Sequence, residues 1–201
     1  MQEVQDNIFP SEPGLRARKR QETHARIQAE AMRLFIDRGF EATTLDEVAA
    51  AADVSRRTLL NYFGSKEEIV LSTKADFPQL IVDAVAGRPR DEPLLDMVEG
   101  ALGEVAARFQ TPETLALTRL IHETPSLQAG DHAKYERVER VLAQALAARK
   151  ELAPDDVACR VVAGTAVSIM KLAGEAWLAH PEQGPEMFGR EAFAALRRVA
   201  G

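Results

Sequence analysis

The stretch that most constrains the fold is residues 43–68, TTLDEVAAAADVSRRTLLNYFGSKEE. Thr44 and Glu47 have the spacing of a capping box, in which a hydroxyl and a carboxylate each satisfy an amide at a helix start. The apolar pattern of that helix breaks at Asp53, a residue type that tolerates the left-handed backbone of a sharp turn. A second helix is predicted over Ser55 to Tyr62, with the serine as its N-cap. Two helices joined by a tight turn form the arrangement that places the second helix in the major groove of DNA.

The polar side chains of the second helix suit contact with DNA. Arg56 and Arg57 lie in its first turn, and arginine can pair with both acceptors on the edge of guanine. Ser65 and Glu68 repeat the capping-box spacing, so a third helix is predicted to begin there. Lys66 would lie in its first turn, where free amides and the helix dipole favour phosphate. The residues predicted to contact DNA in this stretch are Thr43, Thr44, Ser55, Arg56, Arg57, Thr58, Asn61, Tyr62 and Lys66.

A basic run, LRARKRQ, precedes the first long helix, which the apolar spacing predicts over Arg20 to Arg38. The four cations of the run are Arg16, Arg18, Lys19 and Arg20. They form either an arm that contacts phosphate or the minor groove, or the solvated start of a helix. We expect contact with DNA because the run directly precedes the helix–turn–helix segment. Gly39 is expected to end the helix, with Phe40 folding back onto it.

Residues Ile27 to Ile69 closely resemble the DNA-binding domain of TetR-family transcriptional regulators. The motifs that carry the resemblance are Arg38-Gly39-Phe40, Thr43-Thr44, Ala52-Asp53-Val54-Ser55, Thr58-Leu59, Tyr62-Phe63 and Ser65-Lys66. The resemblance implies an all-α fold of about nine helices: a three-helix helix-turn-helix domain, then a helical ligand-binding and dimerisation domain. Three positions depart from the family pattern. Asp53 and Arg57 stand where glycine is common, and Leu60 stands where a DNA-contacting tyrosine is common.

The distribution of charge suits DNA binding although the net charge of the chain is −6. Residues 14–66 contain ten Lys and Arg against seven Asp and Glu, whereas residues 67–201 contain fifteen against twenty-one. A basic N-terminal region on an acidic remainder would orient the protein on a duplex.

The single cysteine, Cys159, fits a reducing, cytoplasmic compartment. The polar first residues lack a signal-peptide pattern. The longest apolar run, Val161 to Ala173, is interrupted by Lys171, so no membrane span is expected.

The chain is predicted to contain a disordered leader at residues 1–13, a DNA-binding domain at 14–64 and a ligand-binding and dimerisation domain at 65–201. Glu67 to Asp76 is expected to be a helix that Pro78 kinks or ends. Residues 87–93, GRPRDEP, are predicted to form a loop. Five further helices are predicted over Leu94 to Phe109, Pro112 to Glu123, Leu127 to Lys150, Asp155 to Ala179 and Glu186 to Val199.

The C-terminal half resembles the ligand-binding domain of a TetR subgroup that binds acyl-CoA-like ligands. The resemblance lies in LIHETPSLQAGDHAKYERVERVLAQALAAR and AGEAWLA, and it implies a long apolar pocket. The residues expected to line it are Leu102, Val105, Phe109, Leu117, Leu120, Ile121, His122, Tyr135, Val138, Val161, Thr165 and Ile169. His122 and Tyr135 are the polar groups that could hold a polar end of the ligand. Plain core packing is the alternative for every residue of this set.

The last two helices carry apolar residues on more than one face, as helices buried on both sides do. In the family these helices pair with those of a second subunit, and the alternative is a thick core within one subunit. The residues expected at a dimer interface are Ala163, Val167, Gly174, Trp177, Phe188, Phe193 and Leu196.

These features predict a homodimeric repressor that binds a pseudo-palindromic operator in double-stranded DNA and is released by a small apolar, acyl-CoA-like effector. One rival is a small-molecule sensing or sequestering protein that has lost operator binding, as Leu60 and the near-neutral charge of residues 1–66 would allow. An enzyme is a further rival. The four histidines lack metal-ligand spacing, and no phosphate loop or nucleophile–base pair is evident. We therefore expect no metal, no cofactor and no catalytic residues.

Overall fold

The computed structural model describes residues 14–200, and all regular structure within that range is helical, which confirms the predicted all-α fold. The leader predicted at residues 1–13 lies outside the described residues. The chain forms two compact units, one ending at Ser65 and one beginning at Lys66. We call them the N-terminal unit and the C-terminal unit. The helices of the N-terminal unit are α1 (Leu15–Arg38), α2 (Leu45–Ala51) and α3 (Arg56–Leu60).

The first helix begins five residues earlier than the apolar spacing predicts, so the described part of the basic run is helical. It ends at Arg38 and is followed by Gly39, whose φ of 92° is a conformation that residues with a β-carbon rarely adopt. Phe40 then packs on Phe35, with 5.1 Å between the ring centroids. The chain reversal after α1 is therefore fixed by a glycine and an aromatic contact, as expected from the sequence.

The second and third helices follow the local signals of the sequence. The Thr44 hydroxyl accepts from the Glu47 amide at 3.2 Å, and the Glu47 carboxylate accepts from the Thr44 amide at 2.8 Å, which completes the predicted capping box. Asp53 adopts φ 50° in the turn. The Ser55 hydroxyl caps α3 by accepting from the Thr58 amide at 3.0 Å. Because α3 has only five residues, it depends on packing through the fully buried Leu59 rather than on intrinsic helix stability.

Over its described residues, 66–200, the C-terminal unit contains seven helices, one more than the sequence predicts for it. They are α4 (Lys66–Ser72), α5 (Phe77–Ala86), α6 (Leu94–Arg108), α7 (Pro112–Glu123), α8 (Pro125–Lys150), α9 (Val157–Ala179) and α10 (Pro185–Ala200). The prediction that Pro78 kinks or ends a helix was wrong, because Pro78 lies in the first turn of α5. Proline is tolerated there, since a first-turn amide has no partner within the helix.

The long helices α8 and α9 form the centre of the C-terminal unit. Helix α9 packs against α6, α7, α8 and α10, and α5 packs against α6 and α8. Val138, Leu142 and Leu146 of α8 are fully buried in the core, together with Ala163 and Ala166 of α9. Among the described residues, α9 alone is long and apolar enough to cross a membrane by length and composition. The expectation that no run reaches that length was therefore wrong, although a core helix of a helical unit passes the same test.

Candidate nucleic-acid interface and ligand cavity

The basic side chains of helix α3 are exposed to solvent, and its apolar residue Leu59 packs into the N-terminal unit. Arg56, Arg57 and Asn61 are exposed, whereas Leu59, on the opposite face, is fully buried. The same exposed surface includes Leu60, whose side chain is 44% exposed. A short helix held by one buried residue and presenting two arginines has the form needed to enter a major groove.

The two arginines differ in their surroundings. The Arg56 guanidinium donates to the Asp46 carboxylate of α2 at 2.8 Å, and both side chains are more than half exposed. An exposed pair of this kind contributes little to stability. Arg57 is one residue further along the exposed surface. Among the described residues, Arg56 therefore has a carboxylate partner on α2, whereas Arg57 has no such contact.

Three of the hydroxyl groups predicted to contact DNA, those of Thr44, Ser55 and Thr58, form hydrogen bonds at the starts of α2 and α3. The Ser55 and Thr58 hydroxyl oxygens lie 2.8 Å apart at the start of α3. The Thr44 hydroxyl donates to the Glu47 carboxylate at 2.9 Å, and the hydrogen bonds from Thr44 lower the pKa of that carboxyl group. Thr44 and Ser55 are exposed, so their remaining acceptor capacity faces solvent.

Thr43 is a correction to the predicted interface. Its side chain is 1% exposed, and its hydroxyl donates to the Gly39 carbonyl at 2.9 Å and approaches the Leu34 carbonyl at 3.3 Å. A buried hydroxyl must find such partners, because an unpaired one is costly. Thr43 therefore secures the corner between α1 and α2 and presents no side chain to a ligand.

Tyr62 joins the basic start of α1 to the end of α3. The Arg20 guanidinium lies 5.3 Å from the centre of the half-buried Tyr62 ring, close enough for a cation–π contact. The His24 ring lies between Tyr62 and the buried Phe63, at 6.4 and 4.5 Å between centroids. The other cations of the basic run, Arg16, Arg18 and Lys19, are exposed along the same helix. Lys66 is half-buried as the first residue of α4.

A cavity of about 230 Å³ lies within the C-terminal unit. Every helix from α5 to α10 contributes to its wall, and the apolar residues on it include Phe77, Leu102, Val105, Phe109, Leu117, Ile169, Met170, Trp177 and Phe193. A second cavity of about 260 Å³ adjoins it and has a more polar lining that includes His122, Gln128, Asp131, His132, Lys171 and Glu175. The two cavities share the residues Lys74, Thr118, Tyr135 and Gly174. Together they offer apolar space that leads to a charged end, and their volumes together reach the range of ligand pockets, ~300–1,000 Å³.

Most of the residues predicted for the pocket line one of these cavities. The first is lined by Leu102, Val105, Phe109, Leu117, Tyr135 and Ile169, and the second by Ile121, His122 and Tyr135. The structure contradicts the prediction for Val138, which is fully buried in the core, and for Val161, which is 62% exposed. Leu120 and Thr165 are half-buried and border neither cavity. The Thr165 hydroxyl instead donates to the Val161 carbonyl of its own helix, at 2.8 Å.

A cluster of charged groups at the junction of the cavities was not anticipated from the sequence. Lys134 donates to the Asp131 carboxylate at 2.5 Å, and its ammonium group lies 4.1 Å from the centre of the Tyr135 ring. Lys171 approaches the same ring at 5.0 Å. Burial, followed by the charge of Lys134, lowers the pKa of Lys74 to about 8, and burial raises the pKa of Tyr135. Lys74 and Lys134 are 60 positions apart in the sequence, so no local pattern indicates that they meet.

Three glycines leave open space along the first cavity. Gly103 of α6, Gly174 of α9 and Gly189 of α10 all line it, and a β-carbon at any of them would meet no atom within 4 Å. Glycine within a helix costs roughly 1 kcal/mol relative to alanine. The cavity is thus wide at positions where the helices themselves would be more stable with a side chain.

The residues predicted for a dimer interface are largely part of the subunit interior. Ala163, Val167, Trp177 and Phe193 are at most 5% exposed, and Trp177, Phe193 and Gly174 line the first cavity. Phe188 and Leu196 are half-buried. Buried side chains cannot supply surface to a second subunit, which corrects the assignment for the first four. The large apolar residues that are exposed on α9 are Val157, Val161 and Leu172.

Cys159 is buried, and burial together with Asp156 raises the pKa of its thiol to about 11. A raised pKa disfavours the thiolate, which is the reactive form in redox sensors. Within the described part of the chain, no group of three or more His, Cys, Asp or Glu could hold a metal ion.

Comparisons with known proteins match both units. Residues 27–73 match the family of bacterial regulatory proteins described as the tetR family, and residues 92–200 match the MftR C-terminal domain. The transcriptional regulator TcmR of Streptomyces glaucescens is 34% identical over 155 residues, which are 73% of this chain and 69% of TcmR. A protein described as a mycofactocin biosynthesis transcriptional regulator, MftR of Mycobacterium tuberculosis, is 32% identical over 80% of this chain and 82% of its own length. The structure of the repressor FadR of Thermus thermophilus with lauroyl-CoA is similar at a TM-score of 0.56 and 27% identity, covering 86% of this chain and 92% of FadR.

Proposed function

The chain belongs to the TetR family of bacterial transcriptional regulators, and we propose that it is a repressor that releases its operator when an effector enters the C-terminal unit. The observation that carries the proposal is the exposed face of α3, with Arg56 and Arg57 held outward by the buried Leu59. Arg57 would read base edges, and Thr44, Tyr62 and Lys66 would contact phosphates, which position the protein without specifying sequence.

The proposal includes a homodimer built through the exposed side of α9. Val157, Val161 and Leu172 are 70%, 62% and 58% exposed and recur at helical spacing. An apolar stripe of this kind is suited to burial against a second copy. A two-fold dimer would present two α3 helices about one DNA turn apart, ~34–36 Å, to the halves of a pseudo-palindrome.

The effector is proposed to occupy the cavities of the C-terminal unit. Their apolar lining supports an apolar ligand, and the FadR relative in complex with lauroyl-CoA supports an acyl-CoA-like one. A ligand can shift the protein between two conformers only through its different affinities for them. A 100-fold loss of operator affinity needs ~2.7 kcal/mol of coupling, which is within the range typical of allosteric proteins.

The test of DNA binding uses fluorescence anisotropy with the DNA upstream of the protein's own gene. We expect sequence-specific binding that weakens steeply as salt rises, because bound cations are released from the duplex. The double variant Arg56→Ala/Arg57→Ala should lose this specificity. The control, Arg137→Ala/Arg140→Ala, removes the same charge from exposed positions on α8 and should retain it. Equal behaviour of the two double variants would exclude α3 as the reading element.

The dimer is tested by sedimentation velocity. Val161→Glu places a charge in the exposed apolar stripe and should raise the dimer dissociation constant by about tenfold or more. Ala133→Glu introduces the same charge on α8 and should leave the sedimentation coefficient unchanged. A wild-type protein that sediments as a monomer at micromolar concentration would contradict the proposal.

The exposed Leu60 supports a second candidate, a protein that senses or sequesters a small molecule without binding an operator. High ligand affinity with no specific DNA binding would favour that candidate.

The protein is proposed to be a cytoplasmic regulator without catalytic activity. Turnover of a bound ligand would contradict this part of the proposal.

A further inference from the structure

Lys74 and Tyr135 line both cavities and mark the junction at which the apolar first cavity meets the more polar second one. Three lysines line the cavities: Lys74 lines both, Lys134 lines the first and Lys171 lines the second, which is also lined by Asp131 and Glu175. The charged residues of the two linings balance, with Lys74, Lys134, Lys171 and Arg190 against Glu99, Asp131, Glu175 and Glu186. Among the described residues, Asp131 forms an ion pair with Lys134, whereas no carboxylate forms one with Lys74. A cation left without a matching carboxylate at the end of apolar space is suited to an anion that arrives with a ligand.

The surroundings of each lysine indicate which two face the incoming group. Lys134 is fixed by its bond of 2.5 Å to Asp131 and by its position 4.1 Å from the Tyr135 ring centre. Lys171 is exposed and lines only the second cavity. Lys74 is half-buried, lines both cavities and lies beside Lys134. Two neighbouring ammonium groups inside a protein repel each other, and the repulsion is relieved when an anion lies between them.

We propose that the effector is an apolar molecule with a free carboxylate, and that this carboxylate lies between the ammonium groups of Lys74 and Lys134 beside Tyr135. The apolar part of the molecule lies against Leu102, Phe109 and Ile169 in the first cavity. The inference rests on the proposed function, since it names the chemical class of the effector. An acyl-CoA thioester has no carboxylate at that end of its chain and would leave Lys74 without an anionic partner, since Asp131 is already paired with Lys134.

Binding of a carboxylate should also change the protonation of Lys74. The pKa of Lys74 is lowered to about 8 by burial and by Lys134, with Asp131 acting in the opposite direction. A carboxylate placed between the lysines favours the charged form. Near pH 8.5, binding should therefore be accompanied by uptake of a fraction of a proton by the protein.

The experiment is isothermal titration calorimetry on the full chain without DNA, using dodecanoate, 1-dodecanol, dodecyltrimethylammonium and lauroyl-CoA as probes. We expect dodecanoate to bind about tenfold more tightly than dodecanol, since hydrogen bonds to charged groups are the stronger ones. Lys74→Met and Lys134→Met should each weaken dodecanoate by about tenfold and leave dodecanol unchanged, which also shows that the variants are folded. Arg137→Met removes an exposed charge from α8 and should change neither affinity.

Proton uptake is measured by repeating the dodecanoate titration at pH 8.5 in two buffers with different ionisation enthalpies. The apparent enthalpy should depend on the buffer for the wild type and much less for Lys74→Met. Equal affinity for dodecanoate and dodecanol, preference for the cationic probe, or tighter binding of lauroyl-CoA that is insensitive to Lys74→Met would each overturn the inference. A wild type that binds operator DNA but fails this test rejects only the inference, whereas failure to bind DNA rejects the proposed function.

Discussion

Leu71 occupies the space that a β-carbon on Gly130 would fill: the added atom would lie 2.2 Å from Cδ1 of Leu71. The end of α4 is thus packed directly against the backbone of α8. Gly130→Ala should force the Leu71 side chain to move, at a cost of roughly 1–3 kcal/mol that exceeds the gain in helix propensity. The expected result is a lower free energy of unfolding, measured by urea denaturation.

A matched control for this substitution is Gly103→Ala, because a β-carbon there meets no atom within 4 Å. It should raise the free energy of unfolding by up to ~1 kcal/mol. In the double variant Gly130→Ala/Leu71→Ala, the loss should be smaller than the sum of the single losses, because the clash is removed. Additive losses would mean that Leu71 and Gly130 do not compete for the same space.

The buried ammonium group of Lys74 is predicted to destabilise the protein without ligand. Because its pKa is lowered to about 8, the unfolded chain binds more protons than the folded one between that value and the ordinary pKa of 10.5. The penalty is fully present below about pH 8 and is relieved as pH rises towards 10.5. Lys74→Met should therefore raise the free energy of unfolding by roughly 1–3 kcal/mol at pH 7, and the gain over wild type should shrink above pH 8.

The free energies of unfolding of the wild type and of Lys74→Met are measured by urea denaturation at several pH values between 7 and about 10.5. The difference between the two proteins cancels the titration of the groups that they share. Arg137→Met, which alters an exposed position, should leave stability unchanged at every pH. Parallel curves for wild type and Lys74→Met would show that Lys74 remains fully charged in the folded state.

Asp53 holds a left-handed backbone conformation, φ 50°, that carries a steric cost for residues with a β-carbon. Asp53→Gly should raise the free energy of unfolding by up to ~1 kcal/mol, and Asp53→Ala should lower it because alanine tolerates the left-handed backbone less well than aspartate does. Thermal unfolding of the two variants decides the point. If Asp53→Gly had a lower free energy of unfolding than the wild type, the Asp53 side chain would stabilise the protein by more than the left-handed backbone costs.

Arg57 is expected to read bases. Arg57→Ala should cost ~1–3 kcal/mol of operator binding and relax the preference at one base position of each half-site. The affinities of the wild type and of Arg57→Ala are measured for a set of operators that each carry one base change. The base pair at which only the wild type discriminates is the one that Arg57 contacts. Unchanged operator affinity would remove Arg57 from the base-reading surface.

Lys66 is expected to contact phosphate from the start of α4. Lys66→Ala should weaken binding to specific and random DNA alike, and flatten the dependence of log affinity on log salt by about one unit. The comparison requires equal folded fractions, which circular dichroism checks. A loss confined to one sequence would be evidence for base reading and against a phosphate role.

The features that could be predicted from the sequence are those with local causes. The capping box at Thr44, the left-handed Asp53 and the bounds of α7, which lies between prolines, all follow from the chemistry of a few neighbouring residues. Pro78 shows the limit of this reasoning, since proline can end one helix or begin the next. The choice depends on how α5 packs against α6 and α8.

The parts of the site that could not be predicted depend on contacts between distant elements. Trp177 and Phe193 are apolar residues on helices that are apolar on more than one face, so the sequence cannot tell a cavity wall from a subunit interface. Thr43 has the same polarity as Thr44, and only its burial reveals a structural role. Lys74, in the turn between α4 and α5, becomes a neighbour of Lys134 because both helices pack against α8.

The open positions at Gly103, Gly174 and Gly189 have a consequence for how effector selectivity could change. Each lies within a regular helix, where any residue with a β-carbon can be accommodated by the backbone. Alanine, valine or leucine at one of these positions would reduce the cavity volume open to a hydrocarbon chain by increasing amounts. The surrounding helices would stay in place. A set of sensors graded for ligand length could therefore be obtained from this single scaffold by one substitution at a time.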